Sequence, residues 1–500
     1  MISYNYRMSK YEAVIGLEVH AQLITQSKMY CSCDTNYQQA EPNTHVCPVC
    51  LGLPGTLPVV NKEAVRAVIM TGLALNSEIA KTTKFDRKNY PYPDLMKGYQ
   101  ISQYDEPICL GGYLEIGNEK IPRKIRVHRV HLEEDVAKLH HETSIGTQNT
   151  YSLVDVNRAG VPLMEMVSEP DMRSAEEARD YLTELHSILQ YLGVSTAQME
   201  DGAFRCDANV SIREKGSKEL GPKVEVKNMN SFRAVQKAIS FEIERQSALA
   251  DTGERVIQET RGWDESKNIT VSQRSKEKAN DYRYFPEPDL PPLEINLEWV
   301  TRIKATLPEL PRQKISRYSK EMGLSTYDAS LLASNSKTAD YFEKSLGFSK
   351  NPIPQTPKNI ANWINTELAQ YLNQGNVDIL NQPVTPEIMA ELIELIEQKI
   401  IGSAQAKQVL AEVYKTGKSA SEIIDSLGLK QVSDTGELRV AVLQAISENP
   451  KAVEDFRSGK DSAQKFLVGQ VMRLTQGKAN PSVTATLVAE ELSRYSNSKE

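Results

Sequence analysis

Two sets of side chains in this chain of 500 residues have the types and spacing for chemistry. The first is Cys31-Ser-Cys33, thirteen intervening residues, then Cys47-Pro-Val-Cys50. Two close cysteine pairs can present four thiolates tetrahedrally to Zn²⁺, and four thiolates fill that shell and leave no position for water. The role expected of Cys31, Cys33, Cys47 and Cys50 is therefore a structural zinc knuckle rather than a catalytic zinc. Cys109 and Cys206 lack such neighbours and read as small buried apolar side chains. Six cysteines in all are too few for a disulfide scaffold, which points to a reducing, cytoplasmic compartment.

The second set is a group of segments with one charged face. Strand residues alternate between two faces, so Gly16-Leu-Glu-Val-His20 places Glu18 beside His20. In Phe204–Arg213 the apolar Phe204, Cys206, Ala208, Val210 and Ile212 point one way and Arg205, Asp207, Asn209, Ser211 and Arg213 the other. Lys223-Val-Glu-Val-Lys227 sets Glu225 between two lysines, and His131-Leu-Glu-Glu-Asp135 adds Glu133, Glu134 and Asp135 at a strand end. One such strand alone usually means a solvated outer face. Four that converge would suit Mg²⁺ and a phosphate chain, because hard cations take oxygen ligands and phosphoryl transfer needs its charge compensated.

The elements that must position these residues are legible in outline. From about residue 10 to 295, short alternating runs broken by Gly, Pro and Asn predict an antiparallel or mixed sheet with inserted helices. Lys62–Leu75 and Ser174–Leu192 carry apolar residues at helical spacing, the second behind an N-cap Ser174 with Glu177 at the capping-box position. The prolines of Tyr284–Pro292 end this region. Helices are predicted beyond it, including one capped by Thr385, begun by Pro386 and stopped by Gly402, and others over Ala404–Val413, Ser462–Leu474 and Val483–Leu492. The fold class expected is α+β: an antiparallel-sheet domain over 1–295, a helical linker over 296–350 and an all-helical tail over 351–500. Ordinary composition, 40% hydrophobic and 25% charged, excludes a disordered or fibrous chain, and no apolar run is long enough to span a membrane. A net charge of −7 gives no global attraction to nucleic acid, so any RNA contact must use a local patch. Gly417-Lys-Ser419 is not a P-loop, since the glycine required five residues earlier is Glu412.

Several ordered motifs carry a resemblance: Gly16–Leu23, Lys88-Asn-Tyr-Pro-Tyr-Pro-Asp94, His131–Asp135, Asn157-Arg-Ala-Gly-Val-Pro-Leu163, Val167–Asp171, Arg205–Ser211, Val226–Phe232 and Asp281-Tyr-Arg-Tyr-Phe-Pro-Glu-Pro-Asp289. With Phe466–Met472 and Gly477–Pro481 of the tail, they resemble the GatB family, the B subunits of tRNA-dependent Asp/Glu amidotransferases, including its YqeY-like C-terminal domain. The resemblance implies an antiparallel cradle domain, a helical linker and a tail that touches tRNA. It implies partnership with the amidotransferase A and C subunits, in a heterotrimer, and misacylated Glu-tRNA(Gln) or Asp-tRNA(Asn) as substrate. ATP and Mg²⁺ would serve to phosphorylate the side-chain carboxylate, and ammonia that the A subunit releases from glutamine would displace the phosphate.

Carried over residue by residue, the resemblance implies a metal set of Glu18, His20, Glu133, Glu134, Asp207 and Glu225. It makes Lys88 and Arg158 contacts to phosphate or acyl group, and Asn209 a further nucleotide contact. The four cysteines match the zinc-bearing members. Residues 301–350 hold 9 Lys or Arg against 5 Asp or Glu, whereas 351–500 hold 15 against 18, so RNA binding by the tail would rest on a patch such as Lys465, Arg473 and Lys478. The rival from another class is a non-catalytic, zinc-bearing RNA adaptor whose acids only keep the surface soluble; ATP-dependent chemistry separates the two.

Overall fold

The computed structural model describes residues 10–117, 121–143, 150–275, 282–429, 435–458, 460, 462–475 and 478–497. Asp281 and Gly477 of the motifs above lie outside them. The described chain forms two compact units, Met1–Pro311 and Arg312–Glu500.

The first unit is built on a ten-stranded sheet. Its central strands are β1 (Tyr11–Gln22), β4 (Arg123–Glu134), β5 (Pro162–Ser168), β6 (Phe204–Glu214) and β7 (Val224–Lys227), continued at one edge by β8 (Glu259–Asp264) and β9 (Ile269–Ser275). Their order is β9-β8-β7-β6-β1-β5-β4, antiparallel throughout except that β7 and β8 run parallel. A small accessory sheet pairs β2 (Asp86–Asn89) with β3 (Tyr99–Ser102) and with β10 (Phe285–Pro286).

Three helices pack on the apolar face: α1 (Lys62–Ala74), α2 (Ala175–Leu192) and α3 (Phe232–Thr252). In α2 the stripe Ala178, Tyr181, Leu182, Leu185 and Leu189 is fully buried. At about 1.5–3 kcal/mol for each large apolar side chain removed from water, this stripe fixes the helix to the sheet far more firmly than helix propensity does. Ser174 caps α2 by accepting from the Glu177 N–H, and Gly193, in the left-handed region at φ 64°, closes it. Glu177 does not complete a reciprocal capping box. Its carboxylate instead accepts from the Arg173 N–H at 2.7 Å and pairs with Arg123, so tertiary partners outcompete the local one. Helix α4 (Leu297–Ala305) joins the same core through Ile303 and Trp299, so the apolar packing of this unit runs past the proline cluster.

The second unit is helical. Apolar side chains from Tyr318 to Phe342 share one core with those from Ile360 to Ile424, across the prolines at 352–357, while Leu438–Leu492 forms a second core. Thr385 caps α5 (Pro386–Glu397) as its sequence predicts, but that helix ends before Gly402, which becomes the N-cap of α6 (Ser403–Thr416). Gly402 has φ −89°, an ordinary extended conformation, so the glycine begins a helix here rather than terminating one. Helices also cover Ser462–Leu474 and Pro481–Asn497. No described helix is long and apolar enough to cross a membrane.

Candidate active site and metal centres

The polar face of the sheet is assembled by strand register. In β1, Glu18 and His20 point to this face, opposite the apolar Leu17 and Val19 that enter the core. Pairing sets His20 against Glu165 of β5 on one side and Arg205 of β6 on the other, and Glu165 against His131 of β4. The next row sets Asp207 against Glu18, Glu18 against Val167 and Val167 against Arg129. Beyond β6, Lys227 of β7 donates to Asp207 at 2.6 Å and lies 3.7 Å from Glu225, which also accepts from Thr260 at 2.9 Å.

The centre of this face is dense in ligand atoms. His20 Nε2 lies 3.3 Å from Glu165 and 4.0 Å from Glu133, and His131 Nε2 lies 3.4 Å from Glu133 and 3.7 Å from Glu165. Glu18, His20 and Glu165 each offer an atom within 4.8 Å of the others, and so do His131, Glu133 and Glu165. Both Glu133 oxygens are held by protein donors, Ser102 Oγ at 2.7 Å and Gln100 Nε2 at 3.0 Å. Glu133 is thereby oriented by the accessory sheet, whose strand β3 supplies both donors.

Burying so many acids is costly unless cations answer them. Burial raises the Glu18 pKa and the neighbouring Glu165 charge raises it further. Burial draws His20 down, but its hydrogen bond to Glu165 and the charges of Glu165, Glu133 and Glu18 outweigh this and carry it to about 9. Burial likewise pushes Glu165 up, yet the two histidines bring it to about 2. Glu133 is held well below the usual carboxylate range because Lys88 and His131 outweigh its burial. Lys88 answers in kind: burial alone would depress it, and Glu133, the Tyr284 phenol and Glu165 keep it well above its ordinary value. The cluster holds His20 as a proton-carrying cation among carboxylates, a place that a divalent cation would also fit.

The sequence-predicted residues divide between two regions. Glu18, His20, Glu133, Asp207 and Glu225 share the polar face, with Asn209 in register between Gly16 and Glu225 and Lys88 in electrostatic reach. Glu134, next along the strand, turns away from Glu133, as alternation requires. Its carboxylate accepts from the Ile101 N–H at 3.0 Å and pairs with Lys97, in a crevice shared with Cys50 and Asp135. Arg158 also lies outside the cluster. It donates to the Val136 and Ala137 carbonyls at 2.9 and 3.0 Å and stands 3.7 Å from Asp135. Glu165 and His131, absent from the predicted set, sit at its middle. The chain does carry a signal for both: Glu165 is the one acid in the otherwise apolar run Leu163–Val167, and His131 is two residues from Glu133 on the same face.

The four cysteines form the other centre. One Sγ from each of Cys31, Cys33, Cys47 and Cys50 lies within 4.8 Å of the rest, an arrangement that could bind a metal such as zinc. Cys47 and Cys50 Sγ are 3.9 Å apart, against about 3.8 Å for the edge of a tetrahedron with Zn–S bonds near 2.3 Å. A hydrogen bond from Cys31, with the Cys47 N–H and the Lys28 ammonium, lowers Cys50 to about 4, so one thiolate is already favoured. Cys109 and Cys206 are buried elsewhere in the core.

Comparison with known proteins gives the family. Residues 13–301 match the GatB/GatE catalytic domain, and residues 340–492 match the GatB domain. The chain belongs to the GatB/GatE family. It is 54% identical over 490 residues to a protein of Dehalococcoides mccartyi (strain CBDB1) named as the B subunit of aspartyl/glutamyl-tRNA(Asn/Gln) amidotransferase, covering 97% of this chain and 99% of that one. Proteins of the same name from Thermoanaerobacter pseudethanolicus and Carboxydothermus hydrogenoformans are 52% and 51% identical, each covering 97% of this chain and 100% of the relative. The polar sheet face lies wholly within the segment matched to the GatB/GatE catalytic domain.

Proposed function

We infer that this chain is the B subunit of an Asp/Glu-tRNA(Asn/Gln) amidotransferase, a glutamine-hydrolysing carbon–nitrogen ligase, and that its polar sheet face activates the aminoacyl carboxylate. The observation that carries the reading is the convergence of Glu18, His20, Glu165 and Asp207, with Lys88 and Lys227 beside them, inside the GatB/GatE catalytic domain.

A carboxylate resists ammonia because oxide would have to leave. Transfer of the ATP γ-phosphoryl group to a side-chain oxygen of Glu or Asp yields an acyl phosphate and ADP. Ammonia nitrogen then attacks the carbonyl carbon, phosphate departs with the bonding electrons, and loss of one proton leaves the amide. The carboxylate-rich donor set fits Mg²⁺, which when bound would neutralise phosphate charge. Glu18, Glu165 and Asp207 would hold it, with His20 ligating once its proton has left; Asn209 and Glu225 lie in register beside them. Glu133, locked by Ser102 and Gln100, orients His131 and His20. Lys88 supplies positive charge toward Glu133 and Glu165 and toward the transferring group. Glu134 and Arg158, tied elsewhere, support the loops around the face.

The knuckle would hold Zn²⁺ through Cys31, Cys33, Cys47 and Cys50 as an architectural ion. The partners proposed are the amidotransferase A and C subunits, with tRNA(Gln) or tRNA(Asn) contacted by the helical tail near Lys465, Arg473 and Lys478, in the cytoplasm. The test is incubation of the three-subunit complex with misacylated tRNA, glutamine and ATP. Amide should form only with ATP, with ADP released in step; amide formation without ATP would sink the reading and leave the adaptor role.

A further inference from the structure

The polar face carries an arginine to which the chemistry above gives no task. Arg129 lies on β4, two residues before His131, and shares its face with His131 and Glu133. A β-bulge puts it there. Val167 of β5 pairs with Arg129 but Ser168 pairs with Val127, so His128 is an extra residue in β4. The core-facing phase shifts accordingly, from Ile125 and Val127 before the bulge to Val130 and Leu132 after it. Without that shift the alternation would send Arg129 into the core.

Register then sets Arg129 at the end of a row, Arg129, Val167, Glu18, Asp207, that crosses β4, β5, β1 and β6. Two other cations of this face have close acids: Arg205 lies 3.1 Å from Asp135 and Lys227 lies 2.6 Å from Asp207. Arg129 has none. Its row neighbour Val167 can neither donate nor accept, and its nearest acid, Glu165 on the diagonal, stands 4.0 Å away, beyond hydrogen-bond length. Among the described residues its buried Nε has no partner, while the side chain as a whole is 24% exposed and can be reached from outside. A guanidinium keeps its charge, and donors held without acceptors are costly, so this placement calls for an anion the protein itself does not supply. The Tyr284 phenol lies within electrostatic reach of both Lys88 and Arg129, so the two cations flank one space.

We propose that Arg129 receives the side-chain carboxylate of the aminoacyl group, its planar fork gripping both oxygens while the substrate methylenes lie over Val167. The proposal rests on the activation reaction inferred above. That reaction must bring a carboxylate in among carboxylates and beside a triphosphate, so the approach needs a cation that is not already neutralised. Lys88 is a point charge answered by Glu133 and Glu165, whereas a guanidinium matches the geometry of a carboxylate. Held there, the acyl group faces Glu18 and Asp207 along the row. Once the carboxylate has become an amide its charge is gone and most of the grip with it, so the same residue tells misacylated substrate from amidated product.

The experiment measures binding of Glu-tRNA(Gln) and of Gln-tRNA(Gln) to the assembled three-subunit enzyme without ATP. Wild-type amidation with ATP is checked first, so failure of the activation reading shows there and not in the binding. Wild type should hold the misacylated tRNA about tenfold more tightly than the amidated one. Arg129→Ala should erase that preference by weakening Glu-tRNA(Gln) about tenfold, with Gln-tRNA(Gln) and the KM for ATP within twofold. Arg129→Lys keeps the charge without the fork and should retain about a threefold preference. A merely structural role would weaken both tRNAs alike. The proposal is overturned if an active wild-type enzyme binds the two tRNAs equally, if Arg129→Ala leaves Glu-tRNA(Gln) within twofold or weakens both tRNAs to the same extent, or if the variant raises the KM for ATP instead. Should Arg129→Ala fail to fold, the wild-type preference and Arg129→Lys decide the matter, because a lysine variant with the full preference would show that the fork is not used.

Discussion

The first unit contains two clusters of candidate metal ligands built on opposite plans. The cysteine cluster draws all four thiols from Cys31–Cys50, a local stretch of soft donors. The acidic face draws its residues from five strands, with Glu18 and Glu225 more than two hundred positions apart, and register alone sets them side by side. A local thiol cluster has no rigid scaffold of its own, so a metal bound there would contribute folding energy. The acidic face is held by backbone ladders and by internal cations, so its geometry does not depend on a bound ion. The proton states differ as well: Cys50 is drawn to about 4, which favours a thiolate, and His20 is held at about 9, which favours the imidazolium.

The sharpest way to break this contrast is to remove a ligand from each cluster. Asp207→Ala should lower ATP-dependent amidation by on the order of 10²–10³, with melting temperature nearly unchanged and basal glutamine hydrolysis retained in the complex. Glu165→Gln should lower amidation as much, although no motif marks it, and should also lose the stability of its pairing with His20. A fall in the Asp207→Ala melting temperature as large as that of the cysteine variant below would erase the distinction between a chemical and an architectural centre. Cys47→Ser should do the reverse, costing several kcal/mol of stability and the bound zinc, measured by elemental analysis and thermal melting. A wild-type chain purified without zinc would contradict this.

A smaller effect sharpens the electrostatic side. His20 is raised to about 9 from an ordinary 6.5, so in metal-free protein its ion pairing stabilises fully below about pH 6.5 and is lost as pH rises through 9. That amounts to roughly 3 kcal/mol, and His20→Gln should flatten the stability profile between those pH values in denaturant titrations. An unchanged slope would show that His20 is neutral in the folded protein. The smallest effect is expected for Cys206→Ala, which removes one buried sulfur from the core at a cost near 1 kcal/mol and should leave zinc content intact.

How much of the molecule is legible in its sequence follows the same division. The cysteine cluster is legible entire, because its four thiols are neighbours in the chain. Alternation reveals which of Glu18, His20, Asp207 and Glu225 share a face, but not which strands lie together. That is why Glu165 and His131 are easy to pass over: Glu165 is a lone acid in an apolar run and His131 gains its meaning from Glu165 across the strands. Glu133 and Glu134, adjacent in one motif, look like one pair of ligands although strand geometry sends them to different partners, and Arg158, expected at a phosphate, is taken up by the Val136 and Ala137 carbonyls. Helix positions are well marked by periodicity and caps. Gly402 shows the limit of the cap rules, since a glycine between two helices can end one or begin the next.

The central claim, that the acidic face makes an acyl phosphate before ammonia arrives, is tested most directly by isotope transfer. Misacylated tRNA is prepared with ¹⁸O in both side-chain carboxylate oxygens and amidated by the assembled enzyme with unlabelled ATP and glutamine. One labelled oxygen should appear in inorganic phosphate for every amide formed. Stoichiometric amide with unlabelled phosphate would contradict the account.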